Sequence, residues 1–155
     1  MKFGGTSVED AKSIINVADI VKKEIARTPI VFVSACSGIT NQLLKTATLA
    51  GLGKKDDALQ NVALIESRHK KIIKDLFDVE TTTLLNKHIT ASAEELAALV
   101  SGVAVLGELT PRSLDTFASY GERLSSFIIY HYFETIKIKS VWIAARSYMV
   151  TDDQF

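Results

Sequence analysis

The stretch Lys2-Phe3-Gly4-Gly5-Thr6-Ser7 decides the fold class, because it sets a two-glycine loop between a short first strand and a helical pattern. Glycines let the backbone pass close to a ligand. Ser7 and Asp10 have the spacing of a capping box, so we expect the helix to begin at Ser7. The free N–H groups of that helix and the Lys2 ammonium group would favour an anion. An ordinary capped turn with a solvated lysine fits the same residues, and locally both interpretations stay open.

The residues after this loop predict a strand–helix–strand unit. Apolar side chains recur at helical spacing from Val8 to Arg27. Thr28-Pro29 interrupts the helix, and Ile30-Val31-Phe32-Val33 is typical of a strand buried on both faces. Strands joined in this way form a parallel sheet, and ligands bind at the carboxyl ends of its strands. A second loop of small residues, Ser34 to Asn41, follows the second strand, so we expect it beside the glycine loop.

The middle of the chain predicts a helical insertion. Helical patterns cover residues 42–52, 58–77, 80–89, 93–106 and 111–133. Pro111 is placed as the first residue of the last helix, capped by Thr110. Gly121 inside that helix indicates either a close backbone approach or a helix start just beyond it. Ser140-Val141-Trp142-Ile143-Ala144 then predicts a third buried strand. We therefore expect an α/β fold with a mostly parallel sheet and helices on both faces, of which this chain holds an incomplete part.

Composition excludes several classes of function. The chain has 155 residues, enough for one domain, and its 18 basic and 18 acidic residues cancel, so binding to nucleic acid is not predicted. A single cysteine, Cys36, excludes an internal disulfide and is interpreted as a small buried hydrophobic residue. Three scattered histidines give no metal-ligand spacing, so no metal site is predicted. No apolar run approaches about 20 residues and no leader is seen, so we expect a cytoplasmic protein without a membrane segment.

Two further groups of polar side chains are candidates for chemistry. The first is the cluster of hydroxyls of Ser34, Ser37 and Thr40 in the second loop, although small hydroxylated residues after a strand usually form turns and caps. The second is Glu122, although a glutamate beside Arg123 on a helix is usually an ordinary solvated surface residue. If the sheet is parallel, both loops open at one edge, which brings Lys2, Gly4, Gly5, Ser34 and Ser37 near one another.

Together these motifs resemble the N-terminal part of the aspartokinases, within the amino acid kinase superfamily. The resemblance covers essentially the whole chain and rests on four stretches taken in order. They are Lys2-Phe3-Gly4-Gly5-Thr6-Ser7-Val8, Val33-Ser34-Ala35-Cys36-Ser37-Gly38-Ile39-Thr40-Asn41, Gly121-Glu122 and Thr151-Asp152-Asp153-Gln154-Phe155. It implies the amino acid kinase (carbamate kinase-like) fold, with residues 1–155 as the aspartate-binding part of that domain.

The resemblance also implies a reaction and a role for each motif. Aspartokinases transfer the γ-phosphoryl group of Mg·ATP to the side-chain carboxylate of L-aspartate, the entry to lysine, threonine and methionine synthesis. By resemblance, Lys2, Gly4 and Gly5 bind the phosphate, and Ser37 and Gly38 face it. Ser34 and Thr40 then bind the aspartate side chain, and Glu122 its α-ammonium group. The resemblance further implies a homo-oligomer in the full-length enzyme.

Parts of the family pattern are missing from the chain. These are the half-domain with the Gly-Arg-Gly-Gly-Ser-Asp motif and the nucleotide pocket, and the ACT regulatory domains. We therefore expect an N-terminal fragment with little or no kinase activity alone. Two alternatives remain open. One is another amino acid kinase, acting on glutamate, acetylglutamate, carbamate or a nucleotide monophosphate. The other is a non-catalytic interaction module formed by the helical lobe.

Overall fold

The predicted strand–helix–strand unit is present at the start of the chain. A computed structural model describes residues 1–144, so the predicted motif at 151–155 lies outside the described residues. Strand β1 (Lys2–Phe3) pairs in parallel with β2 (Phe32–Val33), with Phe3 opposite Val33. The predicted parallel pairing is thus confirmed. The prediction that the second strand is buried on both faces is wrong, because Phe32 is 59% exposed.

Helix α1 (Ala11–Lys23) joins the two strands and begins later than predicted. Ser7 does not cap it, because the glycine loop first closes into a 3-10 turn, Gly5–Val8. The cap is Asp10, whose carboxylate accepts a 2.8 Å hydrogen bond from the Ser13 N–H. An aspartate at this position satisfies one of the free donors of the first turn. Beyond Lys23 the chain forms a second 3-10 turn, so the predicted extension to Arg27 is not α-helical.

Three helices form the insertion: α2 (Ile39–Gly51), α3 (Lys55–Leu76) and α4 (Val79–Leu106). Helix α2 packs against α3, α4 and the last helix, so it lies at the centre of the core. Sequence patterns predicted two short helices where α4 is continuous. The residues between them contain no glycine or proline, so nothing breaks the helix until Gly107, which has a φ of +67°.

Helix α4 is also long and apolar enough to cross a membrane, in contrast to the sequence-based expectation. An 18-residue window has a mean hydropathy of 1.5, and a third of that window (33%) is buried inside the protein. Core helices of soluble proteins pass the same test, and Leu85, Ile89 and Leu96 of α4 lie in the core against neighbouring helices. Length and composition alone therefore do not assign α4 to a membrane.

Helix α5 (Pro111–Thr135) matches its prediction at the N-terminus. The Thr110 hydroxyl accepts a 3.1 Å hydrogen bond from the Ser113 N–H, and Pro111 is the first helical residue. Its buried face packs mainly against α2 and also contacts β2. Helix α5 therefore lies beside the edge of the sheet where both loops begin.

The predicted third strand is not found in the described residues. Residues 140–144 have no strand pairing, and Val141 and Ile143 are 83% and 61% exposed. Trp142 instead packs on α5, where its indole N–H donates a 3.1 Å hydrogen bond to the Ser126 hydroxyl. A strand needs a paired neighbour, and the sheet of residues 1–144 consists of β1 and β2. The predicted mostly parallel sheet is therefore confirmed only for its first pair of strands.

Candidate functional site

The glycine loop leads directly out of β1. Gly4 is extended, with φ −78° and ψ 173°, and its carbonyl accepts a 2.9 Å hydrogen bond from the Ser7 N–H. At Gly5 an added Cβ would lie 2.9 Å from the backbone oxygen of Ala35. A side chain at residue 5 would thus collide with main-chain atoms, so glycine is required by the close approach of the second loop.

The second loop, residues 34–41, lies against the first as predicted. The Ser37 N–H donates a 3.1 Å hydrogen bond to the Gly5 carbonyl, which joins the two loops at the carboxyl ends of their strands. Gly38 follows with φ +79°, and α2 begins at Ile39. Thr40 lies in the first turn of α2. Ser34 and Ser37 thus lie on a loop that adjoins the glycine loop, and Thr40 lies at the start of the helix that follows it.

Glu122 reaches the same loop from α5. Its carboxylate accepts a 3.4 Å hydrogen bond from the Ala35 N–H. The preceding residue, Gly121, allows this approach, because a Cβ there would lie 2.5 Å from the Ala35 side chain. Of the two interpretations of Gly121, a close backbone approach is confirmed, and a helix start just beyond it is not. Three motifs that are far apart in the sequence thus meet around Ala35.

The charged and polar groups at this junction are available to a ligand. Lys2 and Glu122 are exposed, and neither takes part in an ion pair within residues 1–144. The hydroxyls of Ser34, Ser37 and Thr40 donate no hydrogen bond to any acceptor in that part of the chain. The surface therefore offers the Lys2 cation and the Glu122 carboxylate, neither of them in an ion pair, and three hydroxyls without hydrogen-bond partners among the described residues.

Two residues that sequence analysis missed hold the second loop in place. The Ser125 hydroxyl donates a 2.8 Å hydrogen bond to the Ser34 carbonyl, and the Arg68 guanidinium donates one of 2.7 Å to the Ser37 carbonyl. Ser125 lies three residues after Glu122, so helical spacing was a signal that could have found it. Arg68 lies in the insertion, where no local pattern distinguishes it from other charged residues of α3.

Cys36 lies inside this junction but does not present a nucleophile. It is 1% exposed, and its thiol donates a 3.0 Å hydrogen bond to the Val8 carbonyl. Burial raises the pKa of the Cys36 thiol to about 11, against a smaller lowering by the charge of Arg68. At neutral pH the group is a thiol and not a thiolate, which confirms the interpretation of Cys36 as a small buried residue.

A charged cleft adjoins the junction on the side of α1 and α3. It has a volume of about 410 Å³ and is lined by Glu9, Asp10, Ala11, Lys12, Arg68, Lys71, Ile72 and Asp75. It contains none of the predicted site residues, so the candidate site is the open surface above the two loops. Within residues 1–144, no group of three or more His, Cys, Asp or Glu side chains is placed to hold a metal ion.

Comparison with known proteins gives the family. A model of the "Amino acid kinase family" matches residues 1–154. The chain belongs to the amino acid kinase family. Among curated members, "Aspartokinase 1, chloroplastic" of Arabidopsis thaliana is 32% identical over 158 residues, covering 99% of this chain and 26% of that protein. "Lysine-sensitive aspartokinase 3" of Escherichia coli K12 is also 32% identical, over 160 residues, covering 99% of this chain and 32% of that protein.

A solved structure of this family has the same fold over nearly the whole chain. The crystal structure of E. coli aspartokinase III in complex with aspartate and ADP (R-state) matches with a TM-score of 0.85 and 26% sequence identity. The match covers 99% of this chain and 32% of that one. This amino acid kinase chain thus spans about a quarter to a third of the length of the relatives that it matches.

Proposed function

We propose that this chain is the aspartate-binding part of an aspartokinase, which transfers the γ-phosphoryl group of Mg·ATP to the side-chain carboxylate of L-aspartate. The observation that carries the proposal is the junction at Ala35. There the Gly5 carbonyl binds the Ser37 N–H at 3.1 Å, and Glu122 binds the Ala35 N–H at 3.4 Å. The similarity to aspartokinases, one of them solved with aspartate and ADP, supports the choice of substrates.

The phosphate would lie over the glycine loop. The Lys2 ammonium group would neutralise the transferring phosphoryl group, and the amides of Gly4 and Gly5 would bind its oxygens. Ser37 and Gly38 face the same region from the second loop. Positive charge and N–H dipoles held in fixed positions stabilise the charge that spreads over the phosphoryl oxygens during transfer.

The acceptor would lie between the second loop and α5. The hydroxyls of Ser34 and Thr40 would bind the aspartate side-chain carboxylate, while the exposed Glu122 would pair with the α-ammonium group. The attacking carboxylate is already ionised near neutral pH, so the reaction requires no general base. Alignment and charge stabilisation then supply the catalysis, and both are properties of the groups at this junction.

We also propose that the nucleotide pocket lies in a further part of a longer polypeptide, called the full-length enzyme below. On this proposal the chain alone has little or no kinase activity. The full-length enzyme is proposed to be a homo-oligomer in the cytoplasm. Continuation of the gene into a Gly-Arg-Gly-Gly-Ser-Asp motif supports this arrangement, and measurable phosphorylation of aspartate by residues 1–155 alone would contradict it.

The role of Glu122 gives the sharpest test of the substrate. Glu122→Gln keeps an oxygen for the Ala35 N–H but removes the charge that would pair with the α-ammonium group. In the full-length enzyme we expect kcat/KM for aspartate to fall about tenfold to a hundredfold, the size of one charge-assisted hydrogen bond. Succinate, which is aspartate without its amino group, should be used equally well by variant and wild type.

Glu108→Gln is the matched control, because Glu108 is an exposed carboxylate in the connection between α4 and α5. It should leave kcat/KM for both acceptors unchanged. Acceptor panels separate the alternatives: a preference of the wild-type enzyme for glutamate, acetylglutamate or carbamate would replace aspartate as the substrate. An unchanged preference for aspartate over succinate in Glu122→Gln would remove Glu122 from the site.

A further inference from the structure

Arg68 connects the helical insertion to the second loop and to the end of the 3-10 turn that follows the glycine loop. From α3, its guanidinium donates a 2.7 Å hydrogen bond to the Ser37 carbonyl and a 3.5 Å one to the Glu9 carbonyl. No ion pair within the described residues includes Arg68. The guanidinium therefore binds main-chain carbonyl oxygens, and the shorter of its two hydrogen bonds is made to the second loop.

The Ser37 carbonyl belongs to a peptide unit with unusual freedom. The next residue, Gly38, has φ +79°, and glycine adopts positive and negative φ about equally well. A flip of the peptide between Ser37 and Gly38 would change that φ, and glycine tolerates the change because it carries no side chain. The bond from Arg68 holds the carbonyl in one of the two orientations.

This orientation determines where the Gly38 N–H points. No cis peptide bond occurs in the described residues, so the carbonyl and N–H of this peptide point in opposite directions. With the Ser37 carbonyl bound to Arg68, the Gly38 N–H is directed away from the guanidinium. It donates to no acceptor within residues 1–144, and neither do the amides of Thr40 and Asn41 in the first turn of α2.

We propose that Arg68 is a positioning residue that fixes the Ser37–Gly38 peptide so that the Gly38 N–H faces the transferring phosphate. The inference rests on the proposed function, which gives Gly38 its ligand. Arg68 does not itself touch the substrate in this account. It aligns a donor for the charge that develops on the phosphoryl group, and donors aligned before the reaction lower the barrier more than they strengthen binding.

The test measures kinetics and loop order separately. In the full-length enzyme, Arg68→Met should lower kcat about tenfold to a hundredfold, the usual loss of one oriented donor, with KM for aspartate changed less than about threefold. In the 15N-labelled 155-residue chain, the Gly38 amide order parameter should fall from about 0.85 to below about 0.6. Arg68→Lys, which keeps the charge but not the planar fork, should recover part of both.

Arg27→Met is the matched control, because Arg27 lies in the 3-10 turn beyond α1 and pairs with Glu24 at the surface. It should change neither quantity. An order parameter of Gly38 that stays at the wild-type value in Arg68→Met overturns the inference, as does a kcat within twofold of wild type. If Arg68→Met does not fold, the same two readouts on Arg68→Lys decide it. Failure of the wild-type enzyme to phosphorylate aspartate would overturn the proposed function, while the NMR result would still decide whether Arg68 orders the loop.

Discussion

The hydroxyl of Ser125 donates a 2.8 Å hydrogen bond to the carbonyl oxygen of Ser34, which lies 91 residues earlier in the chain. The same hydroxyl is 3.2 Å from the Glu122 carbonyl within α5. Ser125 is fully buried, so no water replaces it at the Ser34 carbonyl. This bond fixes the distance between the helix that carries Glu122 and the loop that carries the hydroxyls of the candidate site.

Loss of this hydroxyl should destabilise the protein. In Ser125→Ala the part-buried Ser34 carbonyl loses its donor, so we expect the free energy of unfolding in urea to fall by about 1–3 kcal/mol. Ser101→Ala is the control, because the Ser101 hydroxyl bonds only to Ala97 within its own helix, and its effect should stay within about 0.5 kcal/mol. Equal effects of the two substitutions would show that the link between α5 and the second loop contributes nothing to stability.

Gly102 in α4 and Gly121 in α5 should respond oppositely to substitution by alanine. Helix propensity favours alanine over glycine by up to about 1 kcal/mol at both positions. At Gly121 the added Cβ would lie 2.5 Å from the Ala35 side chain, so overpacking should reverse the gain and destabilise the fold by about 1–3 kcal/mol. At Gly102 nothing lies within 4 Å of the new Cβ, so Gly102→Ala should stabilise the protein by about 0.5–1 kcal/mol.

Urea unfolding of both glycine variants measures these changes directly. The added Cβ of Gly121→Ala would also push α5 away from the second loop and displace Glu122. The variant should therefore weaken use of aspartate by the full-length enzyme. A stabilised Gly121→Ala protein would mean that α5 does not press on Ala35 in solution.

His69 should make stability depend on pH below neutrality. It is fully buried, and its Nδ1–H donates a 2.7 Å hydrogen bond to the Ile65 carbonyl, while Nε2 has no partner among the described residues. Burial lowers the pKa of His69 below its ordinary value of 6.5. Below pH 6.5 the unfolded chain therefore binds a proton that the folded chain does not, and the free energy of unfolding falls as the pH is lowered from 7 to 5.

His69→Gln should remove part of that slope, up to about 1.4 kcal/mol per pH unit for one proton. His131→Gln serves as the control: burial lowers the pKa of this half-buried histidine too, so the substitution should remove a smaller part. Urea unfolding at half-unit steps between pH 7.5 and 5 gives the slopes. Identical slopes for wild type and His69→Gln would show that His69 binds as many protons in the folded protein as in the unfolded chain, and would contradict the prediction.

The local parts of the fold could be predicted because they depend on neighbours in the sequence. Thr110 and Pro111 mark the start of α5, which follows from capping chemistry. The apolar spacing of α1 predicts its buried face, which follows from the helical period. The meeting of the two loops also followed from sequence, since parallel strands joined by a helix bring their carboxyl ends to one edge. Lys2 and Ser34 were expected to lie together on that basis, whereas the role of Glu122 came from the family resemblance.

The incorrect predictions concern segments whose structure depends on what another part of the chain does. Ser7 has the spacing of a cap, but Asp10 takes that position because the glycine loop closes into a turn first. Residues 140–144 have the composition of a buried strand, but no strand of the described sheet lies beside them, and Trp142 packs on α5. Composition measures what a segment prefers, whereas pairing depends on what the rest of the chain places next to it.

By itself, the sequence determined the strand–loop–helix start, the helical insertion, the small-residue loops and the start of α5 at Pro111. Only the tertiary structure decided how these parts are held together: by Arg68 on the Ser37 carbonyl, by Ser125 on the Ser34 carbonyl and by Gly121 against Ala35. The reason is physical. Helical period and capping act over three or four residues, while a hydrogen bond across 31 or 91 residues exists only once the chain has packed.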